Sequence, residues 1–347
     1  MNDKIGSPKS DTILGLEKRK EIFLRRLAKK QKIVNWTVVI LFVVSLGIII
    51  LVSVAPFFSV KYKLASSSFG TSSEEDIIKD YYRLPDIKDV YLPFTNFNED
   101  EIESSNITRK IEEELALLQG SYGVYVKNLK NNENIEINQN KIFTAASLTK
   151  LFTAGTYYKT LRSKAGIKNE ILVLREEDKI EGAGSLINDP VGSKYYPDEL
   201  LEKMLKESDN TAFAIMTSFL GIKNISNFIE KLGLINTSFG NNDATPFDIG
   251  LFLEGLYKYE FLGEYYSKEM IELMTNTAFE DRIPFYLPED TRVAHKIGTW
   301  SGAYSDAGIV FAPGGDYVIV VMTENANYTE AVNAIRKISQ IVYEYFN

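Results

Sequence analysis

The chain has 347 residues, 45% hydrophobic and 25% charged, enough for one large folded domain with appendages. A net charge of −8 leaves no basic footprint for nucleic acid. With no cysteine and a single histidine, His295, the chain has no means to build disulfides, thiolate zinc sites, cysteine nucleophiles or multi-histidine metal centres.

Residues 1–33 are polar and close on a basic cluster that includes Arg25, Arg26, Lys29, Lys30 and Lys32. Residues 34–58 follow without a single charge, 25 positions against the ~20 that span a bilayer. The run is longer than a signal-peptide core, and no small-residue cleavage site stands out after it. It reads as a transmembrane helix. The basic flank before it places the N-terminus in the cytoplasm and the rest of the chain outside. Residues 59–105 read as an extracytoplasmic stalk, with a small, polar, acidic stretch at 65–76 that suits a flexible linker.

A folded domain is expected over 106–347. Residues 107–118 carry apolar side chains at helical spacing. Residues 121–129 predict a strand, 130–134 a turn and 135–137 a returning strand. A helix-rich middle runs from about 147 to 277. Strands return at 292–299, 303–312 and 317–323, and 327–345 closes the chain as an amphipathic helix. Strands at both ends with helices between them predict an α/β domain of the α+β kind. Its five-stranded antiparallel sheet is flanked by helices and carries an inserted all-helical subdomain. An active site is then expected in the crevice between sheet and subdomain.

Three stretches carry chemistry. Ser147 and Lys150 stand three residues apart at the start of a predicted buried helix, so they share one face. An unassisted serine hydroxyl is a poor nucleophile, and a lysine kept neutral by burial and nearby positive charge can take its proton. Ser208-Asp209-Asn210 follows some 60 residues later, and Lys296-Ile297-Gly298-Thr299 lies on a predicted C-terminal strand. Asp209 reads as an internal acceptor capping a helix. His295, beside Lys296 on a strand, points to the opposite face and reads as packing.

Ser-x-x-Lys, Ser-Asp-Asn and Lys-x-Gly in this order resemble the motif set of class A β-lactamases and penicillin-binding proteins. Two further stretches are similar to that family: Thr245-Pro246 at a helix start and Ser305-Asp306 on a strand. The resemblance implies a β-lactamase/transpeptidase-like fold and a serine acyl-hydrolase without cofactor or metal. Its substrate would be a β-lactam or a peptidoglycan stem peptide. It implies Ser147 as nucleophile, Lys150 as base, and Ser208 as proton donor to the departing nitrogen. Lys296 supplies positive charge towards the substrate carboxylate, and Asn210 holds the substrate's amide side chain. The backbone N–H groups of Ser147 and Thr299 form the oxyanion hole, and Gly298 allows close approach to the strand.

Two departures qualify the resemblance. Ile297 stands where the family has a threonine or serine, a hydroxyl that Thr299 can replace from the same strand face. The water-activating glutamate of class A β-lactamases should fall between Gly233 and Ala244, yet that segment's only carboxylate is Asp243, expected to cap the next helix. A slowly cleared acyl-enzyme is therefore expected, with a cell-wall D,D-peptidase or transpeptidase as one alternative. The other is a non-catalytic module that binds wall peptides or an envelope partner.

Overall fold

The computed structural model describes residues 99–347; the basic segment, the apolar span and the stalk up to residue 98 lie outside the described residues. The first element, α1 (Glu99–Leu115), begins inside the stretch expected to be stalk. The sequence over 99–105 has one apolar residue, Ile102, and no apolar stripe, which is why periodicity places the helix start later.

β1 (Ser121–Asn128) and β2 (Asn134–Ile137) form the expected hairpin. The C-terminal strands are β7 (Arg292–Trp300), β8 (Ala303–Phe311) and β9 (Tyr317–Glu324). All five join one antiparallel sheet in the order β2-β1-β9-β8-β7, so the first strand of the domain pairs along its whole length with the last. Side chains alternate between two cores. Val124, Val126, Val310, Ile319 and Val321 meet Ile107 and Ile111 of α1 and Ile335, Ile338 and Val342 of the closing helix, Tyr328–Phe346. Tyr125, Ala307, Ile309, Val318, Val320 and Met322 face the helical subdomain. Burial on both faces explains why β9 reads as an unbroken apolar run.

The subdomain holds α2 (Thr149–Ser163), α3 (Pro197–Lys206), α4 (Asn210–Leu220), α5 (Ile222–Lys231), α6 (Pro246–Tyr257) and α7 (Glu264–Leu273); the closing helix is α8. Two short ladders tie it together: β3 (Phe143–Thr144) with β6 (Asp243–Ala244), and β4 (Leu172–Val173) with β5 (Lys194–Tyr195). Asp209 caps α4 by accepting the Ala212 N–H at 2.8 Å, as expected. Asp243 does not cap α6. Thr245 does, accepting the Asp248 N–H at 3.1 Å, because Asp243 is taken up by pairing with Thr144. Among the described residues no single helix is long and apolar enough to cross a membrane.

Candidate active site

The β3 strand delivers the chain into a turn of 3-10 helix, Ala146–Leu148, that leads into α2. The Ala145 N–H is held by the Asn242 carbonyl at 2.8 Å, and Ala146 takes a left-handed φ of 49°. Such a conformation costs about 1–3 kcal/mol and persists where its surroundings impose it. Buried Leu148, Leu151 and Phe152 anchor the turn, while Ser147 stays half-buried and lines a cleft of about 1130 Å³.

Lys150 enters the cleft from the first turn of α2. Its Nζ lies 2.8 Å from Ser147 Oγ, 2.9 Å from the Ser208 carbonyl, 2.7 Å from Asn210 Oδ1 and 3.4 Å from Ser208 Oγ. A carbonyl and an amide oxygen only accept, so they take two N–H groups of the amine. A neutral amine then has one lone pair left, and it faces the Ser147 hydroxyl. Burial lowers the Lys150 pKa to about 8, against partial support of the charged form by Asp209.

Ser208 joins Lys150 to the second lysine. Its backbone is also left-handed, φ 55°, held between the end of α3 and the Asp209 cap of α4. Asp209 is pinned in turn: Oδ2 accepts the Leu186 N–H at 2.8 Å. A Cβ on Gly184, whose φ is +105°, would fall 2.2 Å from the Asp209 carboxyl. Lys296 Nζ donates to Ser208 Oγ at 2.9 Å and to the Ile297 carbonyl at 3.1 Å. Burial lowers the Lys296 pKa well below the ordinary lysine range, and the neighbouring Lys150 charge lowers it further. Two amines that share one hydroxyl disfavour double protonation, which keeps a lone pair available.

β7 closes the other wall as the edge strand. The His295 N–H leaves the sheet towards the Met274 carbonyl at 2.8 Å. The two-residue period therefore aims the N–H groups of Ile297 and Thr299 out of the same edge, as an oxyanion donor at Thr299 requires. Gly298 abuts the nucleophile turn itself: a Cβ there would sit 2.9 Å from the Ala145 carbonyl. Ile297 lines the cleft without a hydroxyl.

Sequence reasoning missed Arg282, a lone arginine in the segment between α7 and β7. Its buried guanidinium also lines the cleft and donates Nη1 to the Gly298 and Ser305 carbonyls at 2.9 and 2.5 Å, and Nη2 to Thr299 Oγ1 at 2.6 Å. It places a positive charge beside Thr299, on the cleft that Ile297 also lines. Its partners lie 16 to 23 residues away in sequence, a spacing with no local signature.

Asn210 is already engaged at both ends: Oδ1 takes Lys150, and Nδ2 donates to the Glu181 carbonyl at 2.9 Å. His295 makes none of its hydrogen bonds to the serine–lysine cluster. Its Nδ1 lies 2.9 and 3.0 Å from the two Asp306 oxygens, and Nε2 is 3.5 Å from Glu280 Oε1. Burial alone would lower the imidazole's pKa, but the Asp306 and Glu280 charges overcome it and raise the value to about 9. His295 is thus a buried cation bracing β7 against β8, more than plain packing.

Residues 232–243 send Phe239 and Asn242 to the cleft. Phe239 packs against Phe213, ring centroids 6.0 Å apart, and the Phe213 ring lies 5.3 Å from Lys150 Nζ. Asp243 is not among the cleft residues; the carboxylates on its lining are Glu181 and Asp281. Among the described residues no cluster of potential ligands could hold a metal ion.

A serine on a strained turn, a buried lysine at 2.8 Å and a second serine–lysine pair beside an edge strand define the penicillin-interacting class of serine hydrolases. Residues 106–346 match the sequence model of the Beta-lactamase enzyme family, and the chain belongs to that family. It is similar to the β-lactamase VEB-1 of Pseudomonas aeruginosa, 22% identical over 273 residues, which cover 70% of this chain and 91% of that one. Among solved structures it is similar to PBP-A, with a TM-score of 0.67 and 25% identity, over 70% of this chain and 96% of that one. A PBP-A variant has been solved as an acyl-enzyme complex with penicillin G. A β-lactamase from Sphaerobacter thermophilus shares the fold, with a TM-score of 0.65 and 23% identity, over 70% of this chain and 97% of that one.

Proposed function

We propose that this chain is a membrane-anchored serine acyl-hydrolase that works outside the cytoplasm, acylates Ser147 with β-lactams or D-Ala-D-Ala-like peptides, and releases the acyl group slowly. The observation that carries the reading is the Lys150 amine, whose lone pair is left facing Ser147 Oγ at 2.8 Å. Ser147 Oγ attacks the amide carbonyl as its proton passes to Lys150 Nζ. The oxyanion is met by the N–H groups of Ser147 and Thr299. The proton then travels from Lys150 through the Ser208 hydroxyl, 3.4 Å away, to the departing nitrogen. Lys296, Arg282 and Thr299 form the positive end that receives a substrate carboxylate.

Slow release rests on what lines the cleft beside the ester. The segment that the resemblance assigns to a water-activating glutamate contributes Phe239, packed on Phe213. An aromatic pair supplies no base to activate an attacking water. The same feature favours a cell-wall D,D-peptidase or transpeptidase over an efficient β-lactamase, because an ester that survives water can wait for an amine acceptor. Anchoring rests on the uncharged run at 34–58 behind its basic flank.

Fluorescent penicillin added to the full chain, with Ser147→Ala as control, tests the reading. A covalent label on the parent protein alone, persisting for hours, is the expected result. Rapid multiple turnover of a chromogenic cephalosporin with no stable adduct would overturn slow release. Equal labelling of both proteins would overturn the nucleophile.

A further inference from the structure

α4 carries no charged residue along its length, yet only one of its faces belongs to the core. Ala212, Ile215 and Met216 are buried on that face. On the opposite face Asn210, Phe213, Ala214 and Thr217 follow at helical spacing and line the serine cleft. Phe213, Ala214 and Thr217 are half-buried, so this second face is packed against no other part of the core. Asn210 meets Lys150, and Thr217 stands about 10 Å further on at 1.5 Å per residue.

The same wall continues past the helix. Phe239 meets Phe213 edge-on, and Ile222, at the start of α5 and 57% exposed, also lines the cleft. The charged residues on the cleft lining are Lys150, Glu181, Asp281 and Arg282, and none of them comes from α4, α5 or residues 232–243. Single exposed apolar residues are ordinary on a protein surface. A continuous apolar stripe along a cavity that begins at the nucleophile is not. The cleft's volume of about 1130 Å³ also exceeds the roughly 300–1,000 Å³ of a small-molecule site, leaving space beyond the reacting bond.

We propose that this stripe is the subsite for the acyl side of the substrate, and that it selects an extended apolar acyl group. The inference rests on acylation of Ser147 as proposed above. In a penicillin the carboxylate belongs to the leaving half, which Lys296, Arg282 and Thr299 draw to the β7 end. The acyl half then turns towards α4. There the Phe213 ring centroid lies 5.3 Å from Lys150 Nζ, itself 2.8 Å from Ser147 Oγ. A chain laid along the stripe takes Phe213, Ala214 and Phe239 out of water together with its own methylenes. A linear alkyl chain and an aromatic ring share this chemistry.

The full chain is acylated with penicillins whose acyl group is acetyl, butanoyl, hexanoyl or octanoyl, and with the phenylacetyl compound as the ring. The second-order rate of adduct formation on Ser147 is read by mass spectrometry. Each added pair of methylenes should raise that rate about fourfold to tenfold. A phenylacetyl rate above the hexanoyl rate identifies a ring as the preferred group, and the reverse identifies a chain. Ala214→Glu sets a carboxylate on the stripe from a half-exposed helix position and should cut the octanoyl-to-acetyl ratio about tenfold. Ile222→Glu, where an acid suits the start of α5, should cut it about threefold. The acetyl compound is each variant's own reference, so an effect on Lys150 leaves the ratio unmoved. Equal rates along the series in the parent protein, or an undiminished ratio in both variants, would overturn the subsite. An absence of adduct from every member would overturn acylation of Ser147 itself, and the subsite with it.

Discussion

Lys150 and His295 are both buried titratable groups shifted from their ordinary values, with opposite consequences. Lys150 is drawn down to about 8, and only its neutral form can take the Ser147 proton. The rate of penicillin labelling should therefore climb as pH rises through about 8 and then level off. Lys150→Met should lower that rate about a hundredfold to ten-thousandfold. A stopped-flow pH profile checks both, and a rate flat across this range would deny Lys150 its role. His295 is raised to about 9 from an ordinary 6.5, so the folded protein binds its proton more tightly than the unfolded chain does. By linkage its stabilisation is complete below pH 6.5 and is lost as pH climbs through 9. His295→Gln should thus melt well below the parent protein at about pH 6, with the gap closing towards about pH 10, as thermal unfolding in a pH series would reveal.

At the scale of elements, the site depends on how closely β7 lies against the turn that starts α2. Gly298 sets that spacing. An alanine Cβ would meet the Ala145 carbonyl at 2.9 Å, a contact that backbone must relieve by shifting. Gly298→Ala should keep the protein folded but slow labelling by about a hundredfold, since a displacement near 1 Å is enough for that loss. Kinetics and a melting curve on the same sample separate the two effects. Motifs and strands were the legible part of this machinery. Ser147 with Lys150, and Ser208 through Asn210, are local patterns, and β1, β8 and β9 carry apolar runs. Arg282 was hidden because the groups that accept its hydrogen bonds are brought in by the sheet. The β3–β6 ladder, two residues per strand, is too short to show a period, and it took Asp243 away from its expected cap. The opening residues of α1 read as linker because they show no apolar stripe.

At the scale of the whole molecule, the layered plan was readable because strands cluster at both termini and helices between them. The strand order was less so, since nothing local states that β1 lies between β2 and β9. The proposed anchor belongs to this scale as well. The full chain should sediment with membranes, and a chain starting at residue 59 should stay in the supernatant while still labelling with penicillin. Fractionation followed by in-gel fluorescence decides it, and a full chain found in the supernatant would refute the anchor.

The pairing of the earliest strand with the latest has a consequence for biogenesis. β9 is synthesised about 170 residues after Ser147, and β7, which bears Lys296, reaches the central sheet only through β8 and β9. A nascent polypeptide leaving the ribosome thus holds Ser147 and Lys150 long before it holds a pocket. Reactivity should switch on only when the final fifty or so residues have emerged, which leaves the growing chain inert and still pliable.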